Sequence, residues 1–128
     1  MNDAFLLDTN IIIALFAQEL SVLSKIASEN VFIPSIVIGE LYFGAEKSTR
    51  KKDNKTRIDQ LRRNSTILSC TEETATFYGQ IKAHLKENGT PIPDNDVWIA
   101  AIAQENNLTL VSRDQHFQHI ENFPLVKW

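Results

Sequence analysis

AFLLDTNIIIALFAQ (residues 4–18) holds the decisive pattern: a short apolar run, an acid, two small polar residues, then a second apolar run. AFLLD (4–8) reads as a buried strand ending in Asp8, and IIIALFAQ as a short helix with Thr9 or Asn10 available as its cap. A strand that turns directly into a helix is the opening of an α/β unit, and in open parallel sheets ligands collect beyond the carboxyl ends of the strands. Working outward, LTLVS (108–112) is the clearest second strand, and Asp114 follows it in the loop RDQHF. Asp8 and Asp114 are therefore expected on one edge of one sheet. VFI (31–33), closed by Pro34, and TILSC (66–70) supply further strands, and PLVKW (124–128) an edge strand. Helices are predicted over 19–29, from Ser35 to Ser48, over 53–63, from a cap at Thr71 to a stop near Gly89, and over 94–107. The pattern gives a three-layer α/β/α domain, with a mostly parallel central sheet of four to five strands and helices on both faces. With no repeat, low-complexity tract or Pro/Gly-rich linker, residues 1–128 read as one domain.

Bulk properties narrow the class. At 128 residues, 43% hydrophobic and 23% charged, the chain has a globular composition. No apolar run approaches the roughly 20 residues of a membrane span, and MNDAFLLDTN lacks a basic leader. A cytoplasmic protein is expected. Cys70 is the single cysteine, which excludes an internal disulfide and a Cys-rich zinc site; it reads as a small buried residue. The net charge is −3, yet residues 47–63 hold eight of the 13 basic residues and two acids, a segment of +6 on a remainder of −9. Such a strip is a candidate polyanion footprint, although a solvated helical surface explains the charge equally simply.

Four acids carry the chemistry. Asp8 and Asp114 follow strands. Asp96 opens a helix continued by Val97, Trp98, Ile99 and two alanines. Asp8 and Asp96 could cap helices and Asp114 could serve a turn. Glu40 resists such a reading. SIVIGELYFGA is apolar nearly all round, which predicts a buried helix, and no Lys or Arg lies within a turn of Glu40. A buried carboxylate is costly unless paired or metal-bound, so an ammonium at position 40 should be incompatible with folding. Four carboxylates on one sheet edge repel one another, and a divalent cation resolves that conflict. Oxygen ligands without paired His or Cys select Mg²⁺ or Mn²⁺, the metals of phosphoryl chemistry. His84 is expected on the surface. His116 and His119 lie near the acidic loop but are not needed as ligands, and Trp98 is expected to serve packing.

These segments resemble the PIN-domain family, and within it the toxin ribonucleases of VapBC-type toxin–antitoxin pairs. LLDTNIII resembles the family's opening strand and acid-Thr-Asn turn. IPSIVIGELYFGA resembles the helix that carries its glutamate, PIPDNDVWIAAIA its acid three residues before Ile-Ala-Ala, and LTLVSRDQHF its last site-bearing strand and loop. The order holds from Phe5 to Trp128. The resemblance makes Asp8, Glu40 and Asp96 the metal-binding acids, with Asp114 at a more variable fourth position. It places Thr9, Asn10, Ser35, Asp94 and Ser112 as supporting residues around the metal site. It further implies a homodimer, a small antitoxin partner and cleavage of RNA, often a tRNA. Two other classes compete. A Mg²⁺-dependent phosphatase or phospho-receiver also ends strand one in an acid, but the phosphatase needs a second acid where Asn10 stands. A non-catalytic RNA-binding module would use residues 47–63 and leave the acid spacing unexplained. That basic segment could instead contact the antitoxin or a second subunit.

Overall fold

The computed structural model describes residues 3–128. Its strands are β1 (Ala4–Leu7), β2 (Asn30–Pro34), β3 (Ile67–Leu68), β4 (Thr109–Val111) and β5 (Leu125–Val126). Its helices are α1 (Thr9–Phe16), α2 (Leu20–Ser28), α3 (Ser35–Glu46), α4 (Lys51–Arg63), α5 (Glu72–Glu87) and α6 (Asp94–Glu105), with a 3-10 turn over Gln115–His119. The sheet order is β3-β2-β1-β4-β5 and every pairing is parallel. The α/β/α architecture expected from the sequence is what the chain adopts, with five strands.

The order of strands explains where the site lies. From β1 the chain steps outward to β2 and β3, then returns across the sheet to place β4 on the other side of β1. The strand order thus reverses between β1 and β4, the position at which a crevice opens beyond the strand ends. Register fixes the pair: Leu6 lies opposite Leu110 and Leu7 opposite Val111. Leu6, Leu7, Leu110 and Val111 are all fully buried, as befits strands covered on both faces. Beyond them the Asp8 amide donates to the Val111 carbonyl at 3.0 Å, so the ladder holds Asp8 against the end of β4.

Helix ends follow local chemistry, with some departures. Thr71 and Thr74 form a reciprocal capping box at the start of α5, and Gly89 takes φ +68° just past its end. The cap of α1 is Asp8, not Thr9 or Asn10: its carboxylate accepts from the Thr9 amide. β3 is only Ile67–Leu68, shorter than TILSC suggests, because it pairs with β2 alone at the sheet edge. Cys70 lies beyond it and is exposed, correcting the expectation of a buried thiol. α3 is not buried all round either. Val37, Ile38, Leu41 and Ala45 enter the core, but Gly39, Phe43 and Gly44 are exposed. Among the described residues no single helix is long and apolar enough to cross a membrane.

Candidate functional site

Asp8 stands at the centre, 5% exposed. One carboxylate oxygen accepts from the Thr9 amide at 2.8 Å and the other from Ser112 Oγ at 2.7 Å. Burial pushes its pKa up to about 6; the bonds from Ser112 and Thr9 oppose that rise, and the charges of Asp96 and Glu40 add to it. Asp96, on the first turn of α6 and 9% exposed, is raised for the same leading reason. Its bond from His116 holds it down, while Asp114 and Glu40 push it up. Asp8 thus senses Asp96 and Glu40, and Asp96 senses Asp114 and Glu40, across the edge where β1 and β4 end.

Glu40 joins them from α3. Its Oε1 accepts from Thr9 Oγ1 at 2.7 Å, which ties α3 to the first residue of α1. Glu40 is half-buried, not enclosed. A lysine at position 40 is therefore compatible with folding, contrary to the sequence-based expectation, because the side chain lines two solvent-accessible grooves. Asp114 caps the 3-10 turn, accepting from the His116 amide at 2.9 Å.

Three polar residues organise the acids. Ser112 Oγ donates to Asp8 and accepts from the Asp114 amide at 3.0 Å and from Asn10 Nδ2 at 3.3 Å. Asn10 Oδ1 accepts from the Arg113 amide at 3.1 Å. Thr9 serves Glu40. Ser35 and Asp94 make no hydrogen bond to these acids among the described residues. Ser35 opens α3 but makes no capping bond there, the N-cap being Pro34. Asp94 is exposed and held by Tyr78 and Lys82 of α5, at 3.1 and 2.8 Å.

His116 is the residue that sequence reasoning passed over. Its Nδ1 lies 2.8 Å from Asp96 Oδ2 and 3.0 Å from Asp114 Oδ1. The bond to Asp96 raises the imidazole pKa, and the charges of Asp114, Asp96 and Asp8 raise it further. A protonated His116 is thus an internal counter-cation for the acids. The signal was its position two residues after Asp114, which places it on the first turn that Asp114 caps. His84 is at the surface as expected, paired with Glu121 at 2.9 Å, and Trp98 stacks on Tyr78 with centroids 3.9 Å apart.

The donor set fits a divalent cation. Asp96, Asp114 and His116 each present a ligand atom within 4.8 Å of the others. Asp8 and Glu40 lie outside that group but close enough for their charges to act on Asp96 or on each other. Burial is the leading cause that raises the pKa of Asp8, so its ionised form would gain from a bound cation.

The PIN domain family matches residues 5–122. "Ribonuclease VapC2" of Haemophilus influenzae is 34% identical over 128 residues, covering 97% of each chain. "Ribonuclease VapC2" of Rickettsia felis is 30% identical at the same coverage, and the "tRNA(fMet)-specific endonuclease VapC" of Salmonella typhimurium 28%. Among solved structures, VapBC2 from Rickettsia felis, bound to a promoter DNA fragment, superposes with a TM-score of 0.90 at 29% identity, covering 98% of each chain. DNA-bound VapBC from Salmonella typhimurium also gives 0.90, at 28% identity and the same coverage. The chain belongs to the PIN-domain family, among the VapC-type ribonucleases.

Proposed function

We propose that residues 1–128 form one nuclease domain, a metal-dependent endoribonuclease that acts in the cytoplasm as the toxin of a toxin–antitoxin pair and hydrolyses a phosphodiester in cellular RNA. The observation that carries this reading is the convergence of Asp8, Glu40, Asp96 and Asp114 at the point where the strand order reverses. These four residues would hold Mg²⁺ or Mn²⁺. When bound, such an ion polarises a phosphate oxygen and acidifies a water. The protein's own part is orientation. Ser112 and Thr9 aim Asp8, Thr9 aims Glu40, and Asn10 fixes the loop that carries Asp114. His116 holds a proton at Nδ1 beside Asp96 and Asp114, at the mouth of the site. Asn10 stands where a phosphatase needs its second acid, and its amide is engaged with Ser112 and Arg113, which disfavours that alternative.

The relatives' names make tRNA a candidate substrate, and the VapBC complexes make an antitoxin a candidate partner; a second copy of the chain is a further candidate on the family resemblance alone. A groove of about 400 Å³ supports a protein partner. It is lined by Ile13, Phe16, Leu41, Ala45 and Ile58 and reaches Thr9 and Glu40. The direct test is incubation of antitoxin-free protein with total RNA and with tRNA, in Mg²⁺, Mn²⁺ or EDTA. Cleavage should need the metal and vanish in Asp96→Asn while the fold persists. Cleavage in EDTA, or full activity in Asp96→Asn, would overturn the assignment.

A further inference from the structure

We propose that the groove on the outer side of Glu40 is a nucleotide subsite, in which an RNA base next to the scissile phosphate stacks on Phe43 while its backbone phosphate meets Lys47. The inference rests on the ribonuclease reading above and extends it to how the strand is held.

The groove, about 620 Å³, is lined by Thr9, Ile36, Gly39, Glu40, Phe43, Gly44, Lys47 and Asn95. It shares Thr9 and Glu40 with the acidic centre, so whatever lies in it adjoins the reacting phosphate. Successive turns of α3 present Glu40, then Phe43 and Gly44, then Lys47 along one side. Helix geometry puts Lys47 about 10 Å beyond Glu40 along the axis. Phe43 is 63% exposed and, among the described residues, is the one aromatic in the set of exposed large hydrophobics. An aromatic face bordered by a cation is the chemistry that single-stranded RNA uses for base stacking and phosphate contact.

Two details make the groove an open receptacle. A Cβ built on Gly39 or Gly44 meets nothing within 4 Å. Glycine weakens a helix interior relative to alanine, and here no packing within the chain requires it. The bare backbone leaves room for a flat group beside the ring. Lys47 covers one face of the Phe43 ring and leaves the other to a base. Lys51 and Lys55 are both paired with Glu46, whereas Lys47 Nζ rests 4.3 Å from the Phe43 ring centroid and, among the described residues, forms no ion pair. Asn95, exposed beside Asp96, offers an amide that can hydrogen-bond a base edge.

A second copy of the chain is the rival occupant, since Ile36 and Phe43 are apolar. Its docking would bury Lys47 and close over Glu40, residue types depleted from protein interfaces. A nucleotide satisfies the cation and the aromatic face together.

The test uses a short single-stranded RNA carrying 2-aminopurine, with metal-dependent cleavage by the unmodified protein established first. If that protein does not cleave, the ribonuclease reading fails, and the subsite with it. Given cleavage, Phe43→Leu should raise KM roughly tenfold with a much smaller change in kcat, and Phe43→Trp should restore it. Lys47→Gln should raise KM and flatten its salt dependence. Gly39→Leu, which fills the groove and favours the helix, should raise KM without loss of stability. In the Asp96→Asn background, 2-aminopurine fluorescence should be quenched on binding, and not when Phe43 is also Leu. Unchanged KM and quenching in Phe43→Leu would overturn the proposal. So would a change confined to sedimentation, with Phe43→Leu dissociating a dimer while RNA binding per protomer is unaltered; that result would assign the groove to a second copy.

Discussion

Replacing Asp8 by Asn should abolish cleavage and yet make the metal-free protein more stable at neutral pH. Asp8 is buried, and its pKa rises from 3.8 to about 6. Ionising it above pH 6 therefore costs the folded state about 3 kcal/mol relative to the unfolded chain. The sign is opposite to that of a salt-bridged acid: the folded pKa is raised, so stability is intact below pH 3.8 and declines as pH rises through 6. Asparagine removes that cost. It retains an acceptor for the Thr9 amide but places an NH₂ where Ser112 Oγ now donates, at 2.7 Å. Losing that bond costs about 1 kcal/mol, so the net gain at pH 7.5 is about 1–2 kcal/mol, or roughly 3–8 °C in Tm. Near pH 4 the unmodified Asp8 is neutral when folded, and the variant should be equal or slightly weaker. Thermal and urea unfolding in EDTA at both pH values would show the crossover. Added Mn²⁺ should then stabilise the unmodified protein more than the variant. A variant less stable than its parent at pH 7.5, by the same margin as at pH 4, would refute the argument that ionising the buried Asp8 costs stability.

Other expectations follow from the same geometry. Glu40→Gln and Glu40→Lys should both fold and both lose cleavage, since a half-buried ammonium at 40 meets the carboxylates of Asp8 and Asp96; a Glu40→Lys chain that fails to fold by circular dichroism would restore the buried-helix reading. His116→Gln in EDTA should lower Tm at pH 6 and match its parent by pH 9, because the imidazole's raised pKa gives stability that is present below pH 6.5 and lost as pH rises through the folded value. A deficit persisting at pH 9 would mean that His116 acts by packing. Reversing Arg50, Lys51 and Lys52 to Glu should weaken RNA affinity in EDTA and flatten its salt dependence. The reversal breaks the Arg50–Asp53 pair at 3.7 Å and the Lys51–Glu46 pair at 2.7 Å, but all four side chains are exposed, so the loss of stability should be small. Unchanged affinity and slope would leave the strip to a protein partner.

What the sequence makes legible is what sits at an element boundary. Asp8, Asp96 and Asp114 are readable because each falls where a strand ends or a helix begins, and the reversal of strand order brings those boundaries to one edge. Glu40 is readable as an isolated acid on an apolar helix. Its degree of burial is not, because α3 turns Gly39, Phe43 and Gly44 outward, and apolar residues on an open face look the same in sequence as apolar residues in the core. The remaining misses are pairings made across the fold. Asp94 shares the signature turn with Asp96, yet packing of α5 against α6 delivers Lys82 and Tyr78 to it and draws it into a surface ion pair. His116 meets Asp96 from 20 residues away, through a turn set by Asp114.

These pairings divide the acids in a physically consistent way. Asp94, exposed, takes the strong external cation, Lys82. Asp8 and Asp96, buried, receive hydroxyl, amide and imidazole donors and no Lys or Arg among the described residues. A permanent lysine or arginine counter-ion would satisfy the site's charge and compete with a metal for its oxygens. An imidazole can give up its proton, and hydroxyl donors orient a carboxylate without neutralising it. The chain therefore bears a buried acidic centre in which desolvation first, and the neighbouring acids second, disfavour the ionised Asp8, and a bound divalent cation would offset both.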